Sequence, residues 1–284
     1  MAGYRIPGVL GMQPSTTSRD AEHPYMCKAF PPGPLRSMRE ARPVRTATAS
    51  GALPCPHGDE VAQAIAAYMA GEMNRNALSP ITRKIAEANR YDPAEEMRRW
   101  QAQPWYAKAG GMPDFHAAAA GIKTAAYGLW AERVGPGRPW DHKPILEAKL
   151  SAAGTFNHGW HKYGGYDYFY DIWSNIHYGY VGRAAGFSTA ELINGAGLAQ
   201  MASDIVGNLR KGDIMKFQNH SENGEWPASA DDTPDHISIK LGCRLYNEHK
   251  AGAMNAEALL VAISSVPAPW GSGGAQAKEI HQCG

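Results

Sequence analysis

From residue 59 onward the apolar positions recur at three- and four-residue intervals, a period that predicts a succession of helices. Over residues 59–76, Val61, Ile65, Tyr68, Met69 and Met73 fall on helical spacing. Ser79-Pro80 opens a second helix with proline in its first position. Asp92-Pro93-Ala94-Glu95 has the form of a capped start with a capping-box glutamate. Residues 114–133 are alanine-rich and helical, and residues 143–153 form another helix after the turn at Gly135-Pro136-Gly137. Ser188-Thr189-Ala190-Glu191 is a second capping box, heading a helix to about residue 201. Further helices are predicted over 233–249 and 253–264. Strand-like alternation is scarce, apart from a short hairpin within residues 156–170. The fold class is therefore mainly α: one helical domain over residues 56–266, without internal repeats.

One segment departs from this pattern. Residues 163–187, YGGYDYFYDIWSNIHYGYVGRAAGF, set six tyrosines, Asp167, Asp171, Asn175, His177 and Arg183 among apolar residues. Gly179, Gly182 and Gly186 follow at spacings suited to close packing. A polar group buried there must find a partner or cost roughly 1–3 kcal/mol. The segment is thus either a functional site or a tyrosine-rich core helix with one satisfied histidine.

Charge divides the chain. Residues 1–55 hold eight of the twenty prolines and a balance of +4, while the rest carries 21 basic and 24 acidic residues. The first stretch reads as a flexible, extended arm, and the Gly-rich stretch over 267–284 as a frayed tail. The mildly acidic body offers no broad surface for a phosphate backbone. No apolar run approaches the ~20 residues of a membrane span, and the N-terminus lacks the charged-then-apolar order of a secretory signal. Four scattered cysteines do not form a disulfide framework, which suits folding in a reducing cytoplasm. Cys55 and His57 offer two metal ligands, but no second pair stands at zinc-site spacing.

Four constellations carry candidate chemistry. Glu72 shares a helix face with Val61, Ile65 and Tyr68, and Asn76 follows one turn later. A carboxyl held among apolar groups suits a general acid, although a glutamate at the stripe's edge also fits. Trp140-Asp141-His142-Lys143 sits between a Gly-Pro turn and a helix start, where Asp141 either caps the helix or enters a cleft with Lys143. On a helix Asp171 and Asn175 stack four apart, with His177 and Tyr178 on an adjoining face. Asp232 and Asp235 lie at a helix start, where the dipole explains one or two acids and a divalent metal would explain the cluster. No nucleophile elbow, phosphate-cradling loop, HExxH or CxxC pair is present, and no organic cofactor is implied.

The blocks YMAGEMNRNALSP, GPGRPWDHK, YDIWSNIHYGYVGRAAGF and DDTPDHISIKLGCRLY, in this order over residues 60–250, resemble the bacterial polymorphic toxin type 44 domain. The resemblance implies an antibacterial effector that is neutralised in its producer by an immunity protein. Such an effector leaves its cytoplasm without a cleavable signal, and the Pro-rich arm would load it onto a secretion apparatus. Members of that family are generally predicted to be RNases. The positions matching its blocks are Glu72, Asn76, Trp140, Asp141, Lys143, Asp171, Asn175, His177, Tyr178, Gly179, Asp232 and Asp235.

Three readings stay open. In the lead reading His177 is the acid–base group for RNA cleavage, Lys143 steadies the phosphorane, and Asp141 or Asp171 orients the imidazole. In the alternative Glu72 and Asp141 or Asp171 hydrolyse peptidoglycan glycan strands. Trp140, Asn76, Asn175, Tyr178 and Arg183 are the candidate substrate contacts in both. The remaining reading is a non-enzymatic adaptor domain.

Overall fold

Local signals set most helix starts in the computed structural model, which describes residues 57–153, 159–199, 220–272 and 275–283. The N-terminal arm lies outside the described residues. Helix α1 spans Glu60–Ala77, α2 Pro80–Asn89 and α3 Pro93–Gln101. A short 3-10 turn at Trp105–Lys108 precedes α4, Phe115–Val134, and α5, Lys143–Ala152. Helix α6 is Ile172–Ala184, α7 covers 189–199, α8 is Thr233–Glu248 and α9 Ala256–Ser265.

The caps follow from the sequence. The Ser79 hydroxyl accepts from the Thr82 amide at 3.2 Å, and the Asp114 carboxylate from the Ala117 amide at 2.9 Å. At α7 the capping box is complete: Glu191 N–H donates to Ser188 Oγ (3.1 Å), and Ser188 N–H donates back to the Glu191 carboxylate (2.7 Å). Glu95 does not close a box at α3; its carboxylate pairs with Arg99 one turn on. Gly186, at φ +85°, ends α6 by a Schellman turn in which Phe187 N–H reaches Gly182 C=O at 3.1 Å.

Helix α6 runs through the core between α1 and α8, with Ile172, Trp173, Ile176, Tyr180 and Val181 buried on several sides. A helix apolar nearly all round is a buried one, which is why this segment lacks a one-sided stripe. It meets α8 backbone to backbone. A Cβ on Gly179 would stand 2.2 Å from Ile239 O, and one on Gly242 2.0 Å from Ile176 O. Helix α1 turns Ile65, Ala66, Met69 and Met73 inward against α6 and α9, while α2 and α3 pack on α4.

A small sheet flanks the helices. Strands β1 (Trp160–Tyr163) and β2 (Tyr166–Phe169) form a hairpin closed by Gly164 and Gly165, within the range expected for one. The expectation of a frayed C-terminus is overturned. Strands β3 (Gly271–Ser272) and β4 (Ala275–Gln276) pair with each other, and β5 (Lys278–Ile280) pairs antiparallel with β2. Lys278 explains why this tail docks. Its buried ammonium donates to the carbonyls of Ser264 (2.9 Å) and Val266 (2.6 Å) at the end of α9, and it lies 4.5 Å from the centre of the Tyr166 ring. Trp270 is buried beside it, with its indole N–H on Ser238 Oγ at 3.1 Å. The cysteines were expected to form no disulfide framework; Cys283 is nevertheless disulfide-bonded.

Candidate functional site

The inward face of α1, the start of α5 and the middle of α6 converge on a polar cluster inside an apolar frame. Glu72 and Asn76 come from α1, one helical turn apart and both buried. The α4–α5 connection contributes His142, and α6 contributes His177, each 1% exposed. Asn76 Nδ2 lies 3.0 Å from His177 Nε2 and 3.5 Å from a Glu72 carboxylate oxygen. His142 Nε2 lies 3.9 Å from the same oxygen, and its Nδ1 3.2 Å from the Tyr68 hydroxyl. The two imidazoles meet edge to face, with centroids 4.4 Å apart. Trp140 walls the cluster, its ring 6.3 Å from that of His177 and 5.9 Å from Trp130.

Burial decides the charge states here. It pushes the His177 imidazole well below its ordinary range, and the neighbouring His142 and Arg75 push the same way. Burial also lowers His142, against the opposing pull of Glu72 and Asp141. Both rings are therefore neutral near pH 7. Tyr68 is raised, chiefly by burial and next by the Glu72 carboxylate. His142 Nε2 has no hydrogen-bond partner among the described residues and is aimed toward Glu72. Arg75 closes the outer side by an ion pair to Glu72, with 69% of its own side chain in solvent.

Beside this cluster Lys143 Nζ lies 3.5 Å from Asp171 Oδ2. Tyr170 is raised chiefly by burial and next by the Asp171 carboxylate, with smaller effects from Glu147, Lys143 and Asp141. Asp141 also organises its own loop: Oδ2 accepts from Gly137 N–H at 2.9 Å and Oδ1 from Lys143 N–H at 3.3 Å. An apolar groove between α1 and α5, lined by Val61, Ile65, Lys149 and Leu150, adjoins the cluster through Lys149, whose ammonium sits 4.7 Å from the Tyr68 ring centre.

Other candidates lie elsewhere. Tyr178 packs on Trp130 and donates to Leu192 C=O at 3.2 Å, and burial pushes its phenol up to about 12. Arg183 donates to Phe187 C=O at 2.6 Å and serves the end of α6. Asn175 follows Asp171 by one turn, with its Nδ2 buried and without a hydrogen-bond partner among the described residues. Asp232 is the N-cap of α8, its Oδ1 3.8 Å from His220 Nε2. Neither Asp232 nor Asp235 joins a group of three metal-binding donors among the described residues. Tyr68, Arg75 and His142 join the cluster without having been candidates from the sequence. The first two stand one helical turn from Glu72, so their signal was there in the spacing; the third lies between two chosen candidates, and only the packing of α5 beside α6 turns it inward.

Residues 129–248 match the model of the family described as bacterial toxin 44. The matched stretch agrees with the resemblance of the sequence blocks. It takes in Trp140, Asp141, His142, Lys143, Asp171 and His177, and leaves α1 with Glu72 and Asn76 outside. No curated protein and no solved structure matches the chain. Among the described residues no helix is long and apolar enough to cross a membrane.

Proposed function

We propose that the chain is a toxin that hydrolyses the glycan strands of peptidoglycan in a rival cell, with Glu72 as proton donor and Asp171 as the second carboxylate. The observation that carries the reading is the layering of the cluster. Glu72 stands at its rim with 9% of its side chain exposed, while both imidazoles lie beneath it at 1%. The group within reach of a substrate is thus the carboxyl. An entering sugar displaces the largely solvated Arg75, leaving the Glu72 carboxyl against Asn76 and the two imidazoles. Such surroundings suit an acid that protonates a glycosidic oxygen, and Asp171, paired with Lys143, suits the companion base or nucleophile. A disulfide at Cys283 fits an oxidising periplasm better than a cytoplasm. The mildly acidic body brings no penalty with a glycan substrate.

The RNA-cleaving reading is favoured by one observation. His142 beside His177, with Lys143 next in the chain, supplies two imidazoles and an ammonium, the set that phosphodiester cleavage employs. Under either reading a cognate immunity protein covers the site in the producer, and the Pro-rich arm engages the export apparatus.

The full chain is to be expressed in the cytoplasm and, separately, behind a periplasmic signal. Lysis only from the periplasm, with soluble muropeptides released from purified sacculi, is the expected result. Cytoplasmic killing with fragmented RNA overturns the glycan reading in favour of RNA cleavage.

A further inference from the structure

Far from the cluster, the residues just before α1 meet the end of the chain. His57 Nδ1 lies 3.2 Å from His281 Nε2, with the rings edge to face, and Cys283 stands beside them. One donor atom from each of the three falls within 4.8 Å of the others. We infer that the reduced chain binds a zinc ion between His57, His281 and Cys283.

The geometry suits that ion. Zinc holds imidazole nitrogens at about 2.0–2.1 Å and thiolate sulfur at about 2.3 Å, so two nitrogens of a tetrahedral site stand roughly 3.3–3.4 Å apart. The 3.2 Å between the two imidazole nitrogens is already close to that edge. The second nitrogen of His281 adds an independent argument. Its Nδ1 lies 2.8 Å from Asp167 Oδ1, with both side chains mostly buried. A carboxylate there holds the proton on Nδ1 and leaves the Nε2 lone pair pointing at His57, the arrangement that orients metal-binding histidines. Asp167 is itself fixed in β2 opposite Glu279 of β5, so the sheet sets the direction of the imidazole.

Cys283 is disulfide-bonded here, so the zinc site belongs to the reduced form. A thiol or phosphine reductant supplies two electrons, two protons complete the thiols, and zinc then displaces the proton from Cys283 Sγ. The zinc site ties the end of β5 to the segment that enters α1. The sequence alone offered Cys55 and His57 without a second pair; the fold supplies that pair from His281-Gln282-Cys283, more than two hundred residues away.

The test uses the full chain reduced with a phosphine and titrated with Zn2+ against a chromophoric chelator, then with Co2+ followed by absorption. The expected result is one zinc per chain, a sulfur-to-cobalt charge-transfer band, and a melting temperature that rises with zinc. Cys283→Ser removes the band and weakens zinc at least about tenfold, while Asp167→Asn weakens it roughly 10- to 100-fold. Circular dichroism checks that each variant is folded. The inference is overturned if the reduced chain takes up no stoichiometric zinc. It is equally overturned if folded His281→Ala or Cys283→Ser binds as the wild type does.

Discussion

On the side of α6 that faces α8, Gly179 and Gly242 strip away side chains until two helix backbones touch, and Cys243 Sγ lies 3.6 Å from Gly179 O. On the side that faces α1, the same helix presents His177 to Asn76, with His142 edge-on and Glu72 at the rim. The first contact has no room for change, and burial pushes up the Cys243 thiol there, which keeps it protonated. The second buries polar groups that satisfy one another only in part, since His142 Nε2 faces Glu72 without a hydrogen bond. A helix held rigidly on one side can present costly groups on the other. The difference separates scaffold from candidate site within the thirteen residues of α6.

Substitutions should split along that line. The largest effect is expected from Glu72→Gln, which keeps the shape and the Asn76 contact but removes the carboxyl that the glycan reading makes its proton donor. Glycan hydrolysis should fall roughly 10²- to 10⁴-fold with an unchanged denaturation midpoint, as read by muropeptide release and urea titration. A large loss of stability would instead make Glu72 part of the scaffold. Gly242→Ala is the converse. Its Cβ would meet Ile176 O at 2.0 Å, so the helices must part, at about 3 kcal/mol or more of unfolding free energy. Wild-type stability in that variant would show the contact to be loose.

A pH series sharpens the comparison next. Burial holds His161, which accepts a hydrogen bond from Trp173 Nε1 at 3.0 Å, down at about 4, and His236 likewise. Burial also lowers His177 well below its ordinary value. The unfolded chain takes up these protons near the ordinary value of 6.5, so their contribution is complete above it. Stability then falls as pH drops from about 6.5 toward 4, with a slope approaching 1.4 kcal/mol per pH unit for each such histidine. His161→Gln should flatten the slope by about one proton in urea midpoints taken between pH 7.5 and 5, and an unchanged slope would mean this ring is not buried neutral. The smallest effect is expected from Lys143→Met. The ion pair with Asp171 is part-exposed and should be worth under about 1 kcal/mol of stability. Turnover should still drop several-fold if Asp171 serves the reaction, and equal turnover would remove the pair from the site.

Much of this was written locally. The Ser79, Asp114 and Ser188 caps, the hairpin glycines and the α6 terminator act between residues a few positions apart, so the chain specified them before any packing. Glu72 and Tyr68 were likewise placed on one face by helical period alone. His142 was missed because nothing in its neighbourhood reveals that α5 starts beside α6. The docked tail was misread because its glycines suggested fraying, whereas the carbonyls that Lys278 satisfies belong to another helix.

The amino-acid order therefore determined the helices, their ends and the stock of ionisable groups. Packing alone decided which of those groups became neighbours, since Asn76 and His177 are 101 positions apart and His57 and His281 are 224. The reason is one of range. Caps and periodicity act through bonds within a turn or two of backbone, while burial, and with it the charge state of each imidazole, arises only when distant helices exclude water from the same place.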